Sequence, residues 1–196
     1  MGYMAYPVFY RDVYRNGIET MQIRRCKTED ITATGEFYDR VVEYLDSHIN
    51  YPKWTYKEYP SQGYVRVMTV EGHQYIGEEG GKIIAAFVLN QDPEGDYHKG
   101  RWSRQLQEGE FMVVHALAVD PELHGSGIGK EIVRFCIDTS KKSGFKAIRL
   151  DIVPGNVPAK CLYEGLGFTY IGNEDVRPEV EHIPEFSLFE LNFDDD

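Results

Sequence analysis

A buried strand that leads into a glycine-rich loop and an amphipathic helix is the feature that most constrains the fold. Within residues 110–119 the run FMVVHALAV is almost entirely apolar, which is typical of a strand covered on both faces. Three glycines then fall within five positions, from Gly125 to Gly129, and an apolar stripe at helical spacing begins at Ile128. Such a loop leaves N–H groups bare at a helix N-terminus, where they bind anions.

The other elements alternate between strand and helix patterns. Further strands are predicted in residues 21–26, 73–77, 82–90, 145–153, 168–172 and 186–193, and helices in 29–48, 61–70, 128–142 and 156–166. This order predicts an α/β fold in which four helices cover a mixed sheet. Residues 1–20 show neither period and are expected to form an N-terminal extension, inert or partner-binding, before a single domain in 21–196.

Composition excludes several classes of protein. A chain of 196 residues with 42% hydrophobic content suits one domain with a buried core. No long apolar run or secretory signal is present, so we expect a soluble, cytoplasmic protein without membrane contact. The net charge of −11 disfavours nucleic acid as a partner. The three cysteines, Cys26, Cys136 and Cys161, lie far apart, which argues against a metal site or a disulfide framework.

The glycine loop departs from two familiar nucleotide-binding signatures. A P-loop needs glycine where His124 stands and Ser or Thr where Glu131 stands. The last glycine of a Rossmann fingerprint would fall on Lys130 or Ile132, depending on where the fingerprint begins. A nucleotide phosphotransferase and a dinucleotide enzyme are therefore disfavoured. A pyrophosphate bound by backbone N–H groups remains compatible with the loop.

Two motifs resemble those of the GNAT family of N-acetyltransferases. The first motif is a strand ending in LAVxP, followed by Q/R-x-x-G-x-G/A, and it corresponds here to Leu117, Ala118, Val119, Asp120, Pro121, His124, Gly125, Ser126, Gly127, Ile128 and Gly129. The second motif corresponds to Asn156, Ala159, Leu162, Tyr163, Gly167 and Phe168. The motifs lie 27 residues apart, and the predicted element order matches the family from Met21 onward. One position departs from the pattern, because His124 replaces the usual Arg or Gln.

This resemblance implies a mixed, mostly antiparallel sheet of about seven strands flanked by about four helices. It implies acetyl-CoA as the cofactor and a homodimer as a possible assembly. By the same resemblance the cofactor-binding residues are Leu117, Ala118, Val119, His124, Gly125, Ser126, Gly127, Ile128, Gly129, Lys130, Asn156, Ala159 and Tyr163. Asn156 is also expected to be a helix N-cap, which alone would explain it. Backbone N–H groups are expected to dominate binding at the loop, even with His124 in place.

Three residues are candidates for catalysis. The resemblance gives Tyr163 the role of general acid toward the CoA sulfur. His115 is the first candidate for general base, because it interrupts an apolar strand. Alternation along the strand would place it on one face with Val113, Leu117 and Val119. The alternative is a buried histidine whose ring nitrogens are hydrogen-bonded and which has no catalytic role. Glu110, acting through water, is the second candidate for general base. The alternative is that it is a surface carboxylate without a catalytic role. No neighbouring base activates Cys161, so direct transfer is favoured over an acyl-enzyme.

The predicted function is acetyl transfer from acetyl-CoA to a primary amine of a small molecule, or to a peptide or protein N-terminus. In the family the acceptor lies between the first helices and the final hairpin. This region corresponds to residues 51–59 and 173–186, which contain Trp54, Tyr56, Glu174, Asp175, Glu179, Glu181 and Glu185 and suit a cationic amine. The alternatives are a solvated acidic loop and, because of His124, a non-catalytic acyl-CoA-binding regulatory module.

Overall fold

The centre of the molecule is one eight-stranded sheet in a computed structural model that describes residues 11–15 and 18–194. The strands are β1 (Arg11–Arg15), β2 (Ile18–Arg25), β3 (Gln74–Glu79), β4 (Lys82–Asn90), β5 (Phe111–Val119), β6 (Ala147–Ile152), β7 (Thr169–Glu174) and β8 (Phe186–Asn192). Their spatial order is β1-β2-β3-β4-β5-β6-β8-β7, and every neighbouring pair is antiparallel except β5 with β6. The predicted fold class is confirmed.

Among the described residues, four α-helices cover the two faces of the sheet. They are α1 (Ile31–Asp46), α2 (Gln62–Val70), α3 (Ile128–Lys142) and α4 (Val157–Glu164). The apolar sides of α1 and α2 pack on one face in a cluster with β3, β4 and β5, and those of α3 and α4 pack on the other. The helix predicted in 61–70 forms despite Gly63, because Ser61 caps it by accepting the N–H of Tyr64. In the described part of the chain, no helix is long and apolar enough to span a membrane.

The first strands differ from the sequence prediction. β2 begins at Ile18, three residues before the predicted start at Met21, and Arg11–Arg15 pairs with it as an additional antiparallel strand. The sheet therefore has one strand more than the seven that the sequence predicts. Residues 1–10 lie outside the described residues, so the predicted extension stays a prediction for them.

The parallel pair at the centre of the sheet is short. β5 pairs with β6 only through residues 111–113, opposite residues 147–149. Beyond Val113 the two strands diverge, and residues 114–119 face an opening between them. A strand edge without a neighbouring strand presents backbone N–H and C=O groups to whatever fills the opening. The fold thus places free backbone hydrogen-bonding groups at its centre.

A β-bulge lies in β5 beside this opening. One residue separates Ala86 from Val88 on β4, but two residues separate their partners His115 and Ala118 on β5. Ala116 adopts a left-handed conformation with φ of 48°, and its carbonyl accepts a hydrogen bond from the Tyr38 hydroxyl. Bulges re-aim side chains, and this one carries a non-glycine residue in a strained conformation.

The bulge corrects one prediction from simple alternation. Leu117 and Val119 pack with the α3 cluster, whereas Ala116 and Ala118 pack with the α1 cluster. His115, two positions after Val113 and before the bulge, therefore lies on the sheet face opposite Leu117 and Val119. The expectation that all three share a face is wrong, because the extra residue inverts the alternation.

The loop between β4 and β5 is held against the sheet by Arg149. Its guanidinium carbon lies 4.3 Å from the ring centre of Trp102 and 4.4 Å from that of Phe111. These cation–π contacts join the loop to β5 and β6. The anchoring matters for the site, because the same loop supplies Asp92 and Glu94.

Candidate active site

A cavity of about 1440 Å³ occupies the opening between β5 and β6. This volume exceeds that of an ordinary drug-sized ligand site. Its lining comes from residues within 41–49, 51–59, 114–119, 121–130, 151–163 and 177–186. We call the part formed by residues 117–119 and 124–130 the glycine-loop side, and the part formed by His115, Asp151 and Arg177 the Arg177 side.

On the glycine-loop side, two glycines turn the chain into α3. Gly125 and Gly127 have φ values of 78° and 91°, a left-handed conformation that side chains other than glycine rarely adopt. Glu131 donates the first intrahelical hydrogen bond, to the carbonyl of Gly127. The N–H groups of residues 128–130 come before it and have no carbonyl one turn earlier within the helix. The loop thus presents backbone N–H groups at a helix N-terminus, an arrangement that can bind an anion.

Most of the predicted cofactor residues line the cavity. They are Leu117, Ala118, Val119, His124, Gly125, Gly127, Ile128, Gly129, Lys130, Asn156, Ala159 and Tyr163. Ser126 does not line it, and its hydroxyl donates instead to the carbonyl of Leu123. The structure therefore brings two distant sequence motifs to one cavity.

His124 lies exposed at the mouth of the cavity. Its ring meets the ring of Tyr44 edge-on, with the ring centres 6.1 Å apart. Tyr44 in turn stacks on His48 at 4.0 Å. The C-terminal end of α1 therefore supports the one residue of the loop that departs from the family pattern.

Helix α4 supplies two residues to the same cavity. Asn156 is the predicted N-cap, since its Oδ1 accepts the N–H of Ala159 at 3.2 Å. Tyr163 is buried, with its ring edge-on to Phe168, and burial raises the pKa of its phenol. A raised pKa keeps the hydroxyl protonated at neutral pH, so Tyr163 retains a proton that it can donate. Gly129 faces the side chain of Leu162 and lets α3 approach α4.

His115 lines the Arg177 side and is almost fully buried. Its Nε2 lies 2.7 Å from the carbonyl oxygen of Asp92 and 3.2 Å from Oδ1 of Asn90. Both partners are acceptors, so we infer that Nε2 carries the hydrogen and that Nδ1 has the lone pair. Burial lowers the pKa of the imidazole, which keeps it neutral at neutral pH. A neutral imidazole with one accepting nitrogen can take up a proton.

A network of charged side chains surrounds His115. The carboxylate of Glu94 lies 3.8 Å from Nδ1 of His115 and 3.6 Å from the guanidinium of Arg177, and it accepts a hydrogen bond from Tyr64. Arg177 also donates to Oδ2 of Asp151 at 2.8 Å. Glu94, Asp151 and Arg177 are candidate site residues that no sequence motif indicates. One signal was present, because Asp151 interrupts an apolar strand just as His115 does.

The other sequence candidates are divided between the cavity and the surface. Glu110 lies at the opposite end of β5, outside the cavity lining, where it pairs with Lys146, a contact that lowers the pKa of its carboxyl group. The structure therefore does not bring Glu110 together with His115. In the predicted acceptor region, Trp54 and Glu179 line the cavity. The following residues of that region do not: Tyr56, Glu174, Asp175, Glu181 and Glu185.

Comparison with known proteins agrees with this architecture. The model of the acetyltransferase (GNAT) family matches residues 36–168, about two thirds of the chain. The chain is 24% identical over 161 residues to an uncharacterized N-acetyltransferase of Methanocaldococcus jannaschii, in a match that covers 80% of this chain. It spans 64% of the length of that archaeal relative.

Solved structures share the fold. A GNAT-family acetyltransferase of Streptococcus agalactiae has a TM-score of 0.74 at 16% identity, covering 94% of this chain and all of the other. A Salmonella typhimurium protein, described as an acetyltransferase with its cofactor acetyl-CoA, has a TM-score of 0.63 at 17% identity, covering 90% of this chain and 96% of the other. These likenesses concern the fold alone. Together with the family match over most of its length, they lead to one conclusion: the chain belongs to the acetyltransferase (GNAT) family.

Proposed function

We propose that the chain is an acetyl-CoA-dependent N-acetyltransferase that transfers the acetyl group directly to a primary amine. One observation carries this proposal: a buried neutral tyrosine, a buried neutral histidine and an anion-binding glycine loop line the same cavity. Acyl transfer to an amine needs a group that accepts a proton and a group that donates one. Tyr163 and His115 supply these groups in complementary protonation states.

The glycine-loop side fits acetyl-CoA. The N–H groups of residues 128–130 suit its pyrophosphate, and the backbone edge of residues 117–119 suits the amides of its pantetheine arm. An added Cβ at Gly125 or Gly127 would meet nothing within 4 Å, so open space lies beside both glycines. When bound, acetyl-CoA supplies the acetyl group as a thioester. Leu117 N–H is our candidate for stabilising negative charge on the acetyl oxygen.

His115 accepts a proton from the acceptor amine, directly or through water. A primary amine with a pKa of about 10 is almost entirely protonated at neutral pH and cannot attack a thioester in that form. The hydrogen bonds of Nε2 to Asp92 and Asn90 fix the ring, which leaves Nδ1 as the basic nitrogen. Tyr163 gives its proton to the departing thiolate sulfur, which ends the transfer without an acyl-enzyme.

The acceptor is a small-molecule amine or a peptide or protein N-terminus. The cavity supports an acceptor site beside Trp54 and Glu179, between the loop that follows α1 and the segment that precedes β8. The cytoplasmic location and the homodimer that we expect from the sequence stay predictions.

An amine screen tests the proposed function. The full chain is incubated with acetyl-CoA and a panel of polyamines, aminoglycosides, amino acids and peptides, and acetylated products are detected by mass. We expect acetylation of at least one amine, with one free CoA thiol released for each product formed. Calorimetric binding of acetyl-CoA without turnover of any amine would instead support a non-catalytic acyl-CoA-binding module.

A further inference from the structure

We propose that Asp151 binds the acceptor as an ammonium ion and that the site therefore selects amines without a neighbouring carboxylate. This inference rests on the proposed function and names the chemical class of its acceptor. It is carried by the position of Asp151 at the cavity and by the balance of charge around it.

The Asp151 carboxylate presents one oxygen to a ligand. Both of its hydrogen bonds, from the Tyr97 hydroxyl and from Arg177, go to Oδ2 at 2.8 Å. Within the described part of the chain, Oδ1 has no hydrogen-bond partner, and Asp151 lines the cavity. The side chain is only 6% exposed, so an ammonium that reaches Oδ1 forms a charge-assisted hydrogen bond shielded from water. Such a bond would hold the nitrogen in the cavity that His115 also lines.

The charge around Asp151 favours a cation over an anion. Arg177 is the obvious partner for an acceptor carboxylate, but Asp151 and Glu94 already flank its guanidinium. Its Nε is fully buried and therefore closed to a ligand. With His115 neutral, two carboxylates around one guanidinium leave negative charge in excess. An acceptor carboxylate at this position would meet repulsion.

Residues at the mouth of the Arg177 side also favour a cationic ligand. Glu58 and Glu179 line it, and the positively charged lining residues closest to them in sequence are Lys53 and Arg177, of which Arg177 is already flanked by two carboxylates. The rings of Trp54 and Tyr59 also line this part and can accept a cation on their faces. A cationic amine thus meets carboxylates and aromatic rings from the mouth to Asp151.

Matched pairs of amines test the inference on the unmodified protein. Agmatine and arginine differ by one carboxylate beside the amine, as do tyramine and tyrosine. We expect kcat/KM to be at least about tenfold higher for the member without the carboxylate, since a carboxylate brought beside Asp151 and Glu94 meets like-charge repulsion. Equal or reversed kcat/KM values in both pairs would overturn the inference. If no amine in the panel is acetylated, the proposed function fails instead.

A substitution then assigns the preference to one residue. Asp151→Asn keeps the shape and removes the charge, so KM for the preferred amine should rise about 10- to 100-fold while KM for acetyl-CoA stays within about twofold. The preference over the carboxylated partner should shrink at the same time. Tyr97→Phe is the control, because it removes one hydrogen bond to Oδ2 and leaves Oδ1 and its charge. If Tyr97→Phe changes KM as much as Asp151→Asn, or if neither changes it, Asp151 does not bind the amine.

Discussion

The two sides of the cavity present different kinds of chemical group, backbone groups on one and side chains on the other. On the glycine-loop side, the groups that can contact a ligand are mainly backbone N–H groups of residues 117–119 and 124–130, which lie close together in the sequence. On the Arg177 side they are the side chains of His115, Asp151 and Arg177, which come from three separate segments. Glu94 does not line the cavity but contacts His115 and Arg177. A site built from backbone groups should keep its affinity when side chains are replaced and lose it when the backbone conformation changes. A site built from side chains should lose its function when a single side chain is removed.

Tyr163 lines the same cavity from α4, and its replacement should produce the largest effect. Tyr163→Phe removes the proton donor and keeps the ring against Phe168. We expect kcat to fall about 10²- to 10³-fold, as general acid catalysis is lost. Affinity for acetyl-CoA should stay within about twofold, measured by calorimetry beside steady-state kinetics. The exposed Tyr170→Phe, which loses a hydroxyl bonded to Asn173, is the matched control.

An unaltered kcat in Tyr163→Phe would remove this residue from the general-acid role. A tenfold loss of acetyl-CoA affinity with unchanged kcat would instead assign α4 to cofactor binding.

The second prediction concerns His115 and the pH dependence of the rate. Burial lowers the pKa of this imidazole below its usual 6.5, so the active neutral form is lost only as the pH falls through that lowered value. The acidic limb of kcat/KM should therefore lie below pH 6.5 in the natural protein. His115→Gln should reduce kcat/KM about 10- to 100-fold at neutral pH and abolish this limb.

His73→Gln serves as the control, because burial also lowers the pKa of His73 but this residue does not line the cavity. An acidic limb that persists in His115→Gln would mean that another group accepts the proton.

The difference between the two sides also explains how far the sequence could predict the site. Strand, loop and helix follow one another from Phe111 to Lys142, so the local pattern was sufficient for the glycine-loop side. The Arg177 side depends on long-range contacts, such as that of Glu94 with Arg177, which no local pattern encodes. The bulge at Ala116 could not be predicted either, because no sequence signal in an apolar strand indicates a non-glycine residue with positive φ.

The fold was predictable for the same reason that the glycine-loop side was. Each helix and each strand from Met21 onward follows from a local period or a continuous apolar run. The strand Arg11–Arg15 was not recognised, since its residues show no alternation of apolar and polar side chains. The position of Glu110 directly before β5 makes it a candidate for the site, but the cavity lies at the other end of that strand.

The third prediction tests the backbone of the glycine loop. Gly127→Ala puts a Cβ on a residue with φ of 91°, which costs about 1–2 kcal/mol and shifts the N-terminus of α3. We expect Kd for acetyl-CoA to rise about tenfold. Gly144→Ala is the matched control, with φ of 80° and equally open surroundings, at the other end of α3. Gly144→Ala should lower the free energy of unfolding by a similar amount and leave Kd for acetyl-CoA unchanged. If both variants raise Kd equally, the effect of Gly127→Ala comes from general destabilisation of the protein and not from the loop.

The smallest effect is expected at His124, the departure from the family pattern. His124→Ala removes an exposed imidazole and its edge contact with Tyr44, and Kd for acetyl-CoA should change less than about threefold, because exposed side-chain contacts contribute little beside backbone N–H groups. His124→Arg adds a permanent charge at the mouth and should tighten binding only at low salt, where screening is weak. Both are measured by calorimetry at two salt concentrations. A loss of more than tenfold in His124→Ala would mean that the glycine-loop side depends on a single side chain, as the Arg177 side does, and the contrast between the two sides would not hold.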